Sequence, residues 1–227
     1  RAYKARWRLE PLEPVAVEAE FRAPLGNPAT GARSQTYDLG GKIDVICRRW
    51  HLADERPTYD MVVVEHKTSS EDIGPGSPYR RRLQMDGQVS VYHDGAASLG
   101  HQVVGCIYDV LAKPAARPLK ATPIELRRYT KPTKADPETR LYTNQRAEDE
   151  TPDEYRARVR DALAADPDAL LRAEVVRLGD EMGEAREDVW DTARMIRESQ
   201  LAGRAPRNSA ACQAYGRDCD YWAACAC

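Results

Sequence analysis

Asp44, in the run Gly41-Lys42-Ile43-Asp44, and Glu65-His66-Lys67, which begins 21 residues later, are the residues whose types and spacing could do chemistry. Residues two apart on a strand project from one face, so Glu65 and Lys67 point together while His66 points away. If the Asp44 strand pairs beside them, two carboxylates and one ammonium converge. Hard carboxylate oxygens bind Mg²⁺ or Mn²⁺, and such an ion lowers the pKa of a coordinated water and neutralises phosphate charge. A lysine beside it can orient the water or stabilise the transition state. This points to metal-assisted phosphodiester hydrolysis. A Glu-x-Lys pair also occurs on solvated strand edges, yet here both carboxylates end apolar runs, and three valines, Val62 to Val64, lead directly into Glu65.

The elements that must position these groups are legible as patterns. Val15 to Ala23 alternates apolar and polar residues, the period-two signature of a half-buried strand. A second strand runs from Gln35 to Trp50, with a bend or bulge expected at Gly40-Gly41. Arg56-Pro57 makes a turn, and Met61 to Val64 is a continuous β-branched run expected to be a central strand covered on both faces. Ser77-Pro78 supplies an N-cap and first-turn proline for one helix from Tyr79 to Ser98, which aligns Gln84, Gln88 and Tyr92 as an i, i+4 stripe. A strand from His101 to Leu111 follows, then a basic, Pro-rich loop or arm from Lys113 to Pro137, within which Pro123 to Arg127 could pair briefly. Thr151 to Glu154 is a capping box for a helix reaching Ala165. Ala173 to Leu178 reads as a strand. Asp180 to Leu201 reads as a helix burying Met182, Ala185, Val189, Ala193 and Ile196.

Composition sets the limits. The 227 residues carry 34 Lys+Arg against 36 Asp+Glu, a net charge of -2, which excludes a wholesale basic coat, and no stretch approaches the apolar length of a membrane span. Positive charge is local instead: Arg80, Arg81 and Arg82, then Lys113, Arg117, Lys120, Arg127, Arg128, Lys131 and Lys134, with Tyr129 and Tyr142 available to stack on bases. Of six cysteines, Cys212, Cys219, Cys225 and Cys227 crowd into the last 16 residues, spaced for zinc or an iron-sulfur cluster but not as paired Cys-x-x-Cys knuckles. Cys47, three residues after Asp44, points away from the proposed site as a core thiol.

Gly41-Lys-Ile-Asp44, Val62-Val-Val-Glu65-His-Lys67 and Gln88-Val-Ser-Val-Tyr92 together resemble the PD-(D/E)XK nuclease superfamily, and within it the RecB-like branch. The resemblance implies an α/β fold, a restriction-endonuclease-like core with a central mixed β-sheet flanked by helices and a Cys-rich C-terminal segment, divided as residues 1–205 and 206–227. It implies that Asp44 and Glu65 bind Mg²⁺ or Mn²⁺, that His66 lends a backbone carbonyl, that Lys67 serves the attacking water, and that Gln88 and Tyr92 approach DNA or the lysine. Arg80, Arg81, Arg82 and Gln84 would contact DNA. Glu18 with Phe21 resembles an upstream strand bearing a further acidic residue, and Ile107 to Pro114 a strand-and-loop segment of phage-type members. Cys212, Cys219 and Cys225, with Cys227 or a missing upstream partner, resemble the 4Fe-4S set of iron-sulfur members. The implied function is a metal-dependent DNA exonuclease, cytoplasmic, acting in recombination or end processing. A CRISPR adaptation-type nuclease working with an integrase shares the same residues, and a non-catalytic DNA-binding module is the reading that intact Asp44, Glu65 and Lys67 oppose. No histidine precedes Asp44, so the start at Arg1 is expected to lack an N-terminal cap.

Overall fold

A computed structural model describes residues 2–132, 138–204, 208, 211–212 and 218–225, built around one five-stranded sheet. Strands β1 (Leu12–Gly26), β2 (Arg33–Ala53) and β3 (Arg56–Ser69) form an antiparallel meander. Strand β4 (Gly105–Ala112) joins parallel to β3, and β5 (Leu170–Val175) is antiparallel to β4, giving the order β1-β2-β3-β4-β5. A parallel neighbour needs a crossover. Helices α2 (Pro78–Gln84) and α3 (Gly87–Ser98) supply it, and α3 lies on β1 and β2. The mixed sheet flanked by helices is thus the architecture that the resemblance implies.

The valine run explains why β3 is central. Val63 is buried toward α3 with Phe21, Ile46, Val89 and Tyr92, whereas Val62 and Val64 are buried on the other face with Cys47 and Ile107. Burying each such side chain contributes roughly 1.5–3 kcal/mol. A one-residue slip would exchange the two faces, so the register of β3, and with it the placement of Glu65 and Lys67, is strongly specified.

Several boundaries differ from expectation. The turn between β2 and β3 is Asp54–Glu55, with φ of 49° and 63°, a two-residue hairpin connection that leaves Arg56 and Pro57 inside β3. Gly40 and Gly41 pair in regular register with Arg22 and Phe21, so no bulge forms there. The register shifts of β1 lie between Pro14 and Ala16 and between Pro24 and Gly26, and Glu18, within the regular part, has a φ of 51°. Next to it Ile43 and Ile46, three apart, both face the α3 core, which strict alternation forbids. The expected single helix is two, because Asp86 leaves the helical conformation and caps α3 with its side chain. Gln84 therefore sits on α2, off the Gln88–Tyr92 face. Strand β4 starts at Gly105, not His101, and β5 ends at Val175. Helix α4 (Pro152–Ala165) has the expected capping box, and α5 (Gly179–Ala202) buries Met182 but leaves Ile196 exposed. A short α1 (Ala2–Arg6) had no signal in the sequence reading.

The basic arm folds on itself rather than extending. Pro123 to Arg127 forms a single 3-10 turn over Ile124–Leu126 and pairs with no strand. Lys120 meets Asp149 at 2.8 Å, and Arg127 donates to the carbonyls of Thr122 (2.9 Å) and Ala147 (2.7 Å). Glu150 takes the Leu119 N–H and both arms of Arg158. These bonds occupy two of the cations expected to track phosphate, leaving Lys113, Arg117, Arg128 and Lys131 exposed. Lys134 lies outside the described residues.

Phe21 gives the α3–sheet contact its tightest fit. A Cβ on Gly95 of α3 would stand 2.6 Å from its ring, and one on Gly41 of β2 would stand 2.8 Å away. The ring fills both vacant Cβ positions and cannot retreat from one without striking the other. Gly95→Ala gains up to about 1 kcal/mol of helix propensity but overpacks a buried ring, which costs about 1–3 kcal/mol. Net destabilisation of about 1–2 kcal/mol is expected in urea denaturation followed by circular dichroism; an unchanged or raised midpoint would refute this packing account.

Candidate active site

The site lies where the sheet forks. The β2–β3 ladder ends at the pair Val45 and Val64. Beyond it β2 stays paired with β1, while β3 continues beside β4 as far as Ser69 and Ala112. At the fork Asp44 replaces the missing ladder acceptor: its Oδ2 accepts the His66 backbone N–H at 2.9 Å. The contact joins the two strands through a side chain and brings the Asp44 carboxylate alongside the Glu65-His66-Lys67 run.

Glu65 is 4% exposed, at the end of the valine run. Its Oε1 accepts Lys67 Nζ at 2.6 Å, while Oε2 is buried without a hydrogen-bond partner. The Lys67 ammonium also donates to Gln88 Oε1 at 2.8 Å, and Gln88 Nε2 donates to the Tyr92 hydroxyl at 2.5 Å. The alternation expected of Glu65 and Lys67 is therefore realised. So is the approach of Gln88 to the lysine from α3, with Tyr92, one helical turn on, bonded to Gln88.

Electrostatics hold these groups in defined protonation states. Burial alone would lower the Lys67 pKa, but the bond to Glu65 and the charges of Glu65, Asp86 and Asp44 outweigh it, and the net shift is upward. Lys67 is thus an ammonium at neutral pH. Burial, reinforced by the Glu65 charge, pushes the Tyr92 phenol well up, so it stays protonated. An orphaned buried oxygen such as Glu65 Oε2 costs about 1–3 kcal/mol. Together with Asp44, its anionic character suits a hard cation. Among the described residues no three His, Cys, Asp or Glu side chains converge as a metal cluster. The donor set on offer is two carboxylates plus backbone.

The His66 imidazole projects to the opposite face, 3.3 Å from Asp109. There Asp109 also accepts from the Tyr3 hydroxyl and from Arg172 Nη2 at 3.1 Å, and the Arg172 guanidinium, also paired with Glu10, stacks over Trp7 at 4.3 Å. This cluster ties residues 2–11 to the back of the sheet. Glu18 is on the site's flank, paired with Lys42 at 2.5 Å and 60% exposed.

The surface residues expected to meet DNA divide. Arg80 donates to the Ile73 carbonyl at 3.0 Å, and Arg82 makes a bidentate pair with Glu71 at 2.7 and 2.8 Å. Arg81 and Gln84 are exposed on α2. Cys47 and Cys106 are buried, and burial pushes their thiols up to about 11 and about 12, as befits core residues. At the C-terminus the Cys219 N–H donates to the Cys212 carbonyl at 2.9 Å. Cys225 ends the short helix α6 (Trp222–Cys225); its side chain and Cys227 lie outside the described residues.

Three residues near the site escaped the sequence reading: Asp86, Tyr108 and Arg177. Tyr108 is 0% exposed on β4, beside Glu65 in the parallel ladder, and its hydroxyl donates to Asp86 Oδ2 at 2.7 Å. Arg177, just past β5, donates to the Asp86 carbonyl at 2.9 Å. The dipeptide Asp86-Gly87 inside a helical pattern was the available signal, since Asp favours N-caps over helix interiors.

Among solved structures the chain is similar to one described as "Crystal structure of SSO0001", at 13% identity and a TM-score of 0.35, over 91% of this chain and 56% of that one. The chain thus spans little more than half the length of that protein. Curated proteins gave no match. The family model of the PD-(D/E)XK nuclease superfamily matches residues 1–226, nearly the whole length, and the chain therefore belongs to that superfamily.

Proposed function

We propose that this protein is a divalent-metal-dependent deoxyribonuclease, and within the superfamily a RecB-like exonuclease acting on linear DNA. The observation that carries the reading is the Lys67 ammonium, held between Glu65 Oε1 and Gln88 Oε1 beside the Asp44 carboxylate. The bond of Gln88 to the lysine, with Tyr92 bonded to Gln88, supports the RecB-like assignment. Asp44, Glu65 Oε2 and the His66 carbonyl are the groups that would hold Mg²⁺ or Mn²⁺, which supplies Lewis acidity toward the phosphodiester. Asp44 positions the His66 backbone through its N–H. Lys67 carries a fixed positive charge toward the attacking water and the charge that develops on phosphate. Gln88 restrains the lysine, and Tyr92 stands as a neutral donor beside Glu65. Arg81 and Gln84, with the flanking Arg80 and Arg82, are proposed to meet the DNA backbone, as are the exposed cations of the arm.

Lys67→Ala and Asp44→Ala are each expected to slow Mn²⁺-dependent degradation of end-labelled linear DNA by about 100-fold or more, the scale of losing a preorganised charge at the reacting centre. Undiminished degradation by either variant would defeat the reading.

We propose further that Cys212, Cys219, Cys225 and Cys227 hold a structural 4Fe-4S cluster. The support is their spacing and the backbone bond that brings Cys212 and Cys219 together. Protein purified anaerobically should contain iron and acid-labile sulfide and absorb in the visible. Iron-free protein carrying zinc instead would overturn the cluster assignment while leaving the nuclease reading intact.

A further inference from the structure

Helix α3 is capped far more elaborately than an N-terminus requires. One acceptor suffices to cap a helix, and Asp86 provides it: Oδ1 accepts the Gln88 N–H at 2.9 Å. The other oxygen accepts the Tyr108 hydroxyl at 2.7 Å. Arg177 then clamps the same turn, with Nη2 on the Asp86 carbonyl at 2.9 Å and Nε on Ser90 Oγ at 3.3 Å. Tyr108 is fully buried, and a phenylalanine would fill its place in the core as well. A buried hydroxyl is costly unless bonded, so its presence calls for a specific bond. Moreover, Tyr108 sits directly beside Glu65 in the β3–β4 ladder, so the cap is tied to the very strand pair that carries the site.

What this cap positions is Gln88, the second residue of α3, whose side chain receives Lys67 at 2.8 Å. We propose that Tyr108 and Asp86 are positioning residues for the reaction: the buried hydroxyl fixes the cap, the cap fixes the first turn of α3, and that turn holds the Gln88 amide against Lys67. The proposal deepens the nuclease reading and rests on it for the role of Lys67. Neither residue touches substrate. Both act through Gln88, and the consequence is a defined pattern of non-additivity.

The test is a double-mutant cycle on the full chain with Mn²⁺ and linear duplex DNA. Tyr108→Phe should lower kcat about tenfold, the effect of losing one buried hydrogen bond, with KM for DNA little changed. In a Gln88→Ala background the same change should cost nothing further. If the two losses multiply, Tyr108 acts independently of Gln88 and the proposal fails. Should Tyr108→Phe not fold, as judged by circular dichroism, Asp86→Asn takes its place in the cycle. That variant retains the capping acceptor, and the same two outcomes decide. If the wild-type protein degrades no DNA, the nuclease reading is what fails. The positioning claim is then decided by amide hydrogen exchange: Tyr108→Phe should speed exchange at Gln88 about tenfold and leave α5 unaltered, and unchanged exchange at Gln88 would overturn it.

Discussion

The rest of the site depends on the contact between Asp44 Oδ2 and the His66 backbone N–H, 2.9 Å long, at the point where β2 and β3 part. A sheet that splits leaves backbone donors without ladder partners, and such donors turn to side chains or water. Here a carboxylate satisfies one of them. The same contact pulls an anionic side chain to the end of the β2–β3 ladder, where Glu65 already carries a buried, unpartnered oxygen. Two carboxylates would repel each other there without compensation. The Lys67 ammonium, bonded to Glu65 and held by Gln88, is the compensation that the chain itself supplies. A divalent cation would complete it.

The two faces of β3 divide the labour at successive residues. Glu65 and Lys67 face α3 and the reactive groups, while the His66 side chain faces Asp109, Arg172 and the N-terminal segment. Strand alternation alone produces this separation. It allows a polar cluster to fasten residues 2–11 to the back of the sheet without placing any of those side chains in the site. The front is fastened differently, by Phe21 wedged into the glycine gaps of β2 and α3. Helix α3 is consequently held at two points, at Gly95 by packing and at Asp86 by hydrogen bonds.

How much of this was legible follows from the range of each interaction. The valine run, the Glu-x-Lys alternation and the capping box of α4 are local patterns, and each is found where the sequence places it. Gln88 and Tyr92 share a helix face and were correctly paired, but Gln84 was joined to them across a helix break that Asp86 creates. The Gly40-Gly41 bulge was misplaced because glycine signals either backbone freedom or close approach. Here it was the approach of Phe21, a residue twenty positions upstream in sequence from Gly41 but adjacent in the sheet. Tyr108, Arg177 and the Asp109 cluster were illegible for the same reason: their partners lie 22 to 169 residues away, and no periodicity links them. The arm's cations looked free in sequence, since the carboxylates and carbonyls that occupy Lys120 and Arg127 are brought in only by its folding.

The central claim is that the fork assembles Asp44 and Glu65 Oε2 into a binding place for a hard divalent cation. The most direct measurement is the anomalous difference density of crystals grown with Mn²⁺. The account predicts a peak within bonding distance of both Glu65 Oε2 and an Asp44 carboxylate oxygen, with Lys67 still in contact with Gln88. Saturating Mn²⁺ that leaves this place empty, or a peak bound by neither carboxylate, would contradict it.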